Sequence, residues 1–378
     1  MYKIIVLAFI LTWYGSSWAE PQTTAEPTES LSAEQLAAAE DDFSKWFNQL
    51  NEHLINSNNS AEKVMGLAAI INATLSENNQ GVDAMVTDKL LKNLSDIMNE
   101  IINQDDLSET TLDMLASWCF RPKLKVYCDH DALLDKQLKG SPDNLNVYLM
   151  PLNIALEQQD QTLIMQIIGR MSEAKRSHHS HYITPEFSQM IDQYIAENPI
   201  PTSYVAAFKD DKALLSGLSL EKQGQADALI NAYFPTSIKM SYVFLNTTPA
   251  FRPLYQVCQS NKATFVQCLQ ITQILINQSN SLIARGVGYA TLMAMHESRG
   301  KADLLKTVGE KHEAYKAKVQ CLSRTVQTVN FIENFLDPAY QKINLQPIDE
   351  LERKQQLAEY VYNKYKDKHA DLKDPKDC

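Results

Sequence analysis

The sequence predicts an all-α fold of stacked antiparallel helical hairpins stapled by disulfides, and three observations point to it. Glycine is scarce, at 11 in 378 residues, and no proline falls between Pro27 and Pro122; both favour helices over a turn-rich β fold. Apolar residues recur at i, i+3, i+4 and i+7 over long stretches, the stripe of an amphipathic helix. Six cysteines, an even number, all follow an apolar leader, as in an exported chain that forms disulfides. The length suits one large or two ordinary domains with real cores.

Residues 1–19 read as a signal peptide. Lys3 is the charged n-region, Ile4 to Tyr14 the apolar h-region, and Ser17-Trp18-Ala19 a small-x-small cleavage site. So short an apolar stretch does not make a permanent membrane span. The expected location is therefore periplasmic or secreted, with cleavage after Ala19 and no integral membrane segment afterwards. Residues 20–31, with Pro21 and Pro27 among Thr and Glu, read as a flexible linker.

The region 32–117 is expected to hold four helices. Ser32 with Gln35 forms a capping box for the first, running towards Leu54. Asn59-Ser60 starts the second, with Val64, Leu67, Ala68, Ile71 and Leu75 on one face. The third spans about Val82 to Ile102. Ser108 caps a fourth that ends near Cys119. Short polar loops between helices of this length predict antiparallel neighbours.

The region 118–250 opens with Cys119 and Cys128. Pro142-Asp143-Asn144 supplies a turn and an N-cap, after which Leu145, Tyr148, Leu149, Leu152, Ala155 and Leu156 share one helical face. Past Gln158-Gln159-Asp160, a second stripe carries Leu163, Ile164, Ile167, Ile168, Met171 and Ala174. A polar loop follows, Ser177-His178-His179-Ser180-His181. Thr184-Pro185-Glu186 then starts a helix that Asn198-Pro199-Ile200-Pro201 ends. The run from Ser203 to Phe234 reads as two helices parted near Gly217.

In the region 251–347 the pattern returns behind Cys258 and Cys268. At an offset of 141, Tyr148 falls on Tyr289, Leu152 on Met293, Leu163 on Leu304 and Ile167 on Val308. A cysteine pair ahead of both stretches makes a diverged duplication the expected origin. The chain from Gly300 to Leu336 reads as helical with a break around Cys321, stopped by Asp337-Pro338. The region 348–378 provides a capping helix, about Ile348 to Asp367, and a tail. Cys119–Cys128 and Cys258–Cys268 are the expected bonds. For Cys321 and Cys378 three options stay open: a bond to each other, a free Cys378, or a bridge between two molecules.

Within each copy the spacing from the aromatic to the break resembles tetratricopeptide-type helical hairpins. Tyr289 and Leu292 match that family's aromatic and leucine positions, and Gly300 falls near its inter-helix turn. In the first copy Tyr148 matches, but Pro151 stands where leucine is expected and should kink or shorten the helix; Gln159 stands at the turn. The resemblance implies an α-solenoid serving as a binding scaffold, and it carries over no catalytic residue.

No catalytic constellation emerges from the remaining motifs. His178, His179 and His181 form a cluster, and a metal there would need Glu186 or Asp192 as a further ligand; a solvated loop is the simpler expectation. His296 and His312 fall on apolar faces too far apart to share a metal, and read as partly buried core histidines. Ser-x-x-Lys recurs four times without the companion motifs of penicillin-binding enzymes. Loss of Lys3 moves the net charge from −11 to −12, which disfavours nucleic acid and anionic membranes. The expected role is a non-catalytic exported scaffold that binds a peptide or protein partner, without cofactor or metal, through Tyr148 and Tyr289 if they are not core. An envelope hydrolase or metal-dependent enzyme using the His178–His181 loop, and a secreted effector or inhibitor, are the alternatives.

Overall fold

The computed structural model describes residues 32–77, 84–119, 121, 124, 126–180, 184–209, 233–242, 250–260, 262–329, 334, 337–346 and 348–378. The leader, the linker, His181, the segment around Gly217, and Thr248-Pro249 lie outside them. The described residues are helical, with only two isolated bridges of extended backbone, and the chain divides into two compact units. Among the described residues no helix is long and apolar enough to cross a membrane.

One unit joins Met1–Ala73 to Ile183–Leu245. It holds α1 (Ala33–Ile55), the start of α2 (Ser60–Glu77), α8 (Pro185–Glu197), α9 (Thr202–Lys209) and α10 (residues 233–242). The expected capping box begins α1: Ser32 Oγ accepts from Gln35 N–H, and Gln35 Oε1 accepts from Ser32 N–H. Trp46, Leu50 and Leu54 face the core, where Trp46 Nε1 donates to Asn198 O at 2.9 Å. Phe43 stacks on Tyr204 at 4.2 Å, joining α9 to α1. The Tyr242 hydroxyl, fully buried, donates to Asn51 Oδ1 at 2.7 Å. Thr184 and Pro185 begin α8 as the cap-proline signal predicts.

The other unit joins Thr74–Tyr182 to Asn246–Cys378. In order it contains α3 (Ala84–Ile102), α4 (Glu109–Cys119), α5 (His130–Gly140), a 3-10 turn (Leu145–Tyr148), α6 (Leu149–Glu157) and α7 (Gln161–Glu173). It continues with α11 (Arg252–Ser260), α12 (Phe265–Asn277), α13 (Leu282–Glu297), α14 (Ala302–Gln327), α15 (Pro338–Asn344) and α16 (Glu350–Tyr365). The helices pack neighbour on neighbour in the order α7, α12, α13, α14, α16. Leu145, Leu152, Ile168 and Met171 from the first copy share one core with Leu254, Ile271, Leu275 and Met295 from the second.

The two hairpins turn in the same way at the expected offset. Gln159 (φ 56°) and Gly300 (φ 64°) both take the left-handed conformation. Asp160 N–H donates to Ala155 O, and Lys301 N–H to His296 O, each at 3.0 Å; these are equivalent six-residue closures of a helix C-terminus. Helices α7 and α14 start at Gln161 and Ala302, positions that correspond at the same offset.

Three expectations need correction. The first-copy stripe is not one α-helix: Leu145–Tyr148 winds as a 3-10 turn and Pro151 sits in the first turn of α6, where its missing N–H does no harm. Helix α14 runs unbroken through Cys321. Ser323 donates back to Val319 O, and the Thr325 hydroxyl is shared between Cys321 O and Lys373 O, so neither interrupts the helix. Asp337-Pro338 begins α15, with the Asp337 carboxylate as N-cap.

All six cysteines are paired: Cys119–Cys128, Cys258–Cys268 and Cys321–Cys378, the last resolving the three options to one. On the chain-entropy view the two short loops contribute about 2–3 kcal/mol each and the long one about 4 kcal/mol.

Candidate partner-binding site

The face of α14 towards α13 carries Leu304, Val308, His312 and Tyr315 at helical spacing, opposite Tyr289. Tyr289 stacks on His312 with ring centroids 5.2 Å apart and planes 13° from parallel, and lies tilted against Tyr315 at 5.6 Å. The Tyr315 hydroxyl donates to Leu282 O at 3.0 Å, and burial pushes its pKa up to about 12. Burial, helped by Lys316, lowers the His312 pKa against the opposing pull of Glu313. Tyr289, His312 and Tyr315 are half-buried, and Leu304 at the open end of the stripe is 49% exposed. The result is a half-buried cluster of three rings, chemically suited to stacking against an apolar or aromatic side chain.

Tyr148, the equivalent position in the first copy, does not share this role. It is core, 8% exposed, with its hydroxyl donating to Pro142 O at 2.8 Å. The counterparts of His312 and Tyr315 there are Met171 and Ala174, both buried beside residues of α11 and α12 in the shared core. The second copy keeps the aromatic and adds two rings around it. His312 is half-buried, and at offset 141 it and Tyr315 stand where the first copy has Met171 and Ala174.

In the described part of the histidine loop the backbone is pinned, while His178 is exposed and His179 and Ser180 are half-buried. Asn144, fully buried, donates from Nδ2 to Glu109 Oε1 and His178 O and accepts at Oδ1 from the N–H groups of Asn146 and His178. Asn280 and His179 exchange two bonds of 2.8 Å, from His179 N–H to Oδ1 and from Nδ2 to His179 O. Ser279 Oγ donates to Ser177 O at 2.9 Å. Arg176 pairs with Glu109 at 3.1 Å and with Asp143 at 3.3 Å. These bonds form a polar seam between the first hairpin and the α12–α13 connection, running over the isolated bridges Asn144–Arg176 and Ser177–Ser279. Burial, with Arg176 nearby, lowers the His178 pKa. Among the described residues, no three of His, Cys, Asp and Glu converge to hold a metal. Asp192, one of the two proposed further ligands, pairs with Lys239 at 2.6 Å. Glu186 lies in the first turn of α8.

At the edge of the seam, Asp113 accepts from Ser180 Oγ at 2.6 Å. Burial pushes its pKa up to about 6, with Glu109 adding to the rise while Ser180 and Gln137 oppose it. A carboxyl raised on folding contributes most stability below its unfolded value of 3.8, and that contribution is lost as pH climbs through 6. Asp113→Asn should therefore match the parent protein near pH 4 and be more stable by about 2 kcal/mol at pH 7.5, measured by urea unfolding. A difference independent of pH would refute this assignment of the charge.

No family model, curated protein or solved structure matches this chain.

Proposed function

We propose that this chain is an exported, non-catalytic helical scaffold whose hairpins stack as a tetratricopeptide-like α-solenoid and hold a peptide or protein partner in the cell envelope. The observation that carries this reading is the half-buried cluster of Tyr289, His312 and Tyr315, with exposed Leu304 about two turns away along α14. Aromatic rings held rigidly by their neighbours lose little entropy when a partner side chain docks, and such residues dominate binding energies. Three intramolecular disulfides support passage through an oxidising compartment.

A photo-crosslinking residue in place of Leu304, and in a separate protein in place of Glu310 on another face of α14, tests the site in envelope extract under non-reducing conditions. A dominant adduct is expected from position 304 and not from 310, falling about tenfold in a Tyr289→Ala/His312→Ala background, as loss of one hot spot predicts. Equal labelling at both positions, or an adduct indifferent to the two alanines, would overturn the reading.

A further inference from the structure

Residues 366–378 do not trail from the fold. After α16 ends at Tyr365, the chain crosses back over α14 and α16. Leu372 enters a small core with Val329, Tyr340, Leu357, Val361 and Tyr365. Thr325 Oγ1 donates to Lys373 O at 3.3 Å, Pro375 is buried, and Gln355 Nε2 reaches Pro375 O at 3.5 Å. Cys378 then bonds to Cys321 on α14. Apart from that covalent link, the segment is held by two long hydrogen bonds, Leu372, Pro375, the His369 ring edge-on to Tyr365 and Lys366 over the Tyr362 ring.

The bond closing this segment differs from the other two in access. Cys119, Cys258 and Cys268 are buried, so each of the other bonds has at least one shielded sulfur-bearing residue. Neither Cys321 nor Cys378 is buried. Open clefts reach the bond from both sides. One, of about 610 Å³, is lined by Cys321, Arg324, Thr325, Asp371 and Lys373. The other, of about 690 Å³, is lined by Cys378 with Lys318, Gln355 and Lys376.

We propose that Cys321–Cys378 is a redox latch, and that a dithiol reductant opens it to release residues 366–378 from the α14–α16 groove. A thiolate of the dithiol attacks Cys378 Sγ from the wider cleft, the Sγ–Sγ bond breaks, and Cys321 leaves as a thiolate that takes up a proton. The second thiol of the reductant then displaces Cys378 from the mixed disulfide. Two electrons and two protons pass to the protein, and the reductant leaves as its own disulfide. Release withdraws Leu372 from its pocket and uncovers the apolar side chains of Leu357 and Val361 on α16. The latch is independent of the aromatic cluster and of any partner it holds.

The test uses the full oxidised chain and dithiothreitol. Samples taken during a graded reduction are alkylated and mapped by mass spectrometry. Cys321 and Cys378 should be labelled about tenfold faster than any other cysteine, because exchange rates follow access to the sulfur. Tryptic cleavage at Lys368 and Lys373 should accelerate about tenfold once that bond alone is open, since cutting tracks the population of the open form. Helical circular dichroism should stay unchanged. Cys378→Ser should show the fast cleavage without reductant. If another disulfide is reduced as readily, or if the singly reduced protein resists trypsin as the oxidised one does, the latch is refuted. Partial reduction of the natural chain decides the matter even where the serine variant fails to fold.

Discussion

Asn144→Ala is expected to cost about 3–4 kcal/mol, enough to lower the urea midpoint of the unit that contains it far beyond the effect of a surface change. The side chain is fully buried and makes four hydrogen bonds. Truncation strands His178 N–H and the Asn146 N–H, while His178 O keeps its bond from Asn146 Nδ2, and each stranded group costs about 1–3 kcal/mol. The test is sharper with aspartate. Asn144→Asp would keep both acceptor bonds, including the cap to Asn146 N–H, but would turn a carboxylate oxygen towards His178 O and Glu109. If the residue were only a helix cap, that substitution would be almost neutral. A loss as large as that of alanine is expected instead, and a near-parental midpoint for the aspartate variant would end the claim that this residue ties the 176–180 segment to α4 and the first hairpin.

Two glycines on α13, two residues apart, should respond with opposite signs. A Cβ on Gly288 would lie 2.9 Å from Leu275 Cβ and from Ile276 Cγ1, and 3.2 Å from Ile276 N. That last neighbour is backbone of α12 and has nowhere to move. Gly288→Ala should cost about 2 kcal/mol and Gly288→Val about 3 or more, as overpacking does in a close helix pair. Nothing lies within 4 Å of a Cβ at Gly286, so Gly286→Ala should stabilise the helix by up to about 1 kcal/mol through its better helix propensity. Thermal unfolding of the three variants would show both signs. Similar losses at 286 and 288 would mean that the α12–α13 contact is not the tight one.

Much of the helical map is legible because it is local. Capping signals at Ser32–Gln35 and Thr184–Pro185 declare helix starts through bonds a few residues long. Cysteines separated by 9 or 10 positions pair because little else is within their reach. The shared turn at Gln159 and Gly300 is legible only by comparing the copies, since glutamine alone does not announce a left-handed residue. Helix α5 has no counterpart in the sequence expectations: Asp129 caps it, but only Leu133 and Gln137 are buried, too thin a stripe to stand out. What covers a helix is not local at all. Tyr148 and Tyr289 look equivalent in sequence, and only the packing of α11 and α12 beside the first hairpin separates a core residue from a half-buried one. The Asn144 and Asn280 seam was hidden for the same reason, because its partners lie 34 and 101 residues away.

The contact between Asn51 and Tyr242 spans 191 residues, and this bears on how the chain is born. At a synthesis rate of about 5–20 residues per second, roughly 10–40 seconds separate the appearance of these two side chains. For most of that interval Trp46, Leu50 and Leu54, which the finished unit buries, have no native cover, because α8 begins only at Pro185 and α9 and α10 follow it. A nascent chain in that condition is a client for holding factors. The discontinuous unit thus delays its own closure until Tyr242 has emerged.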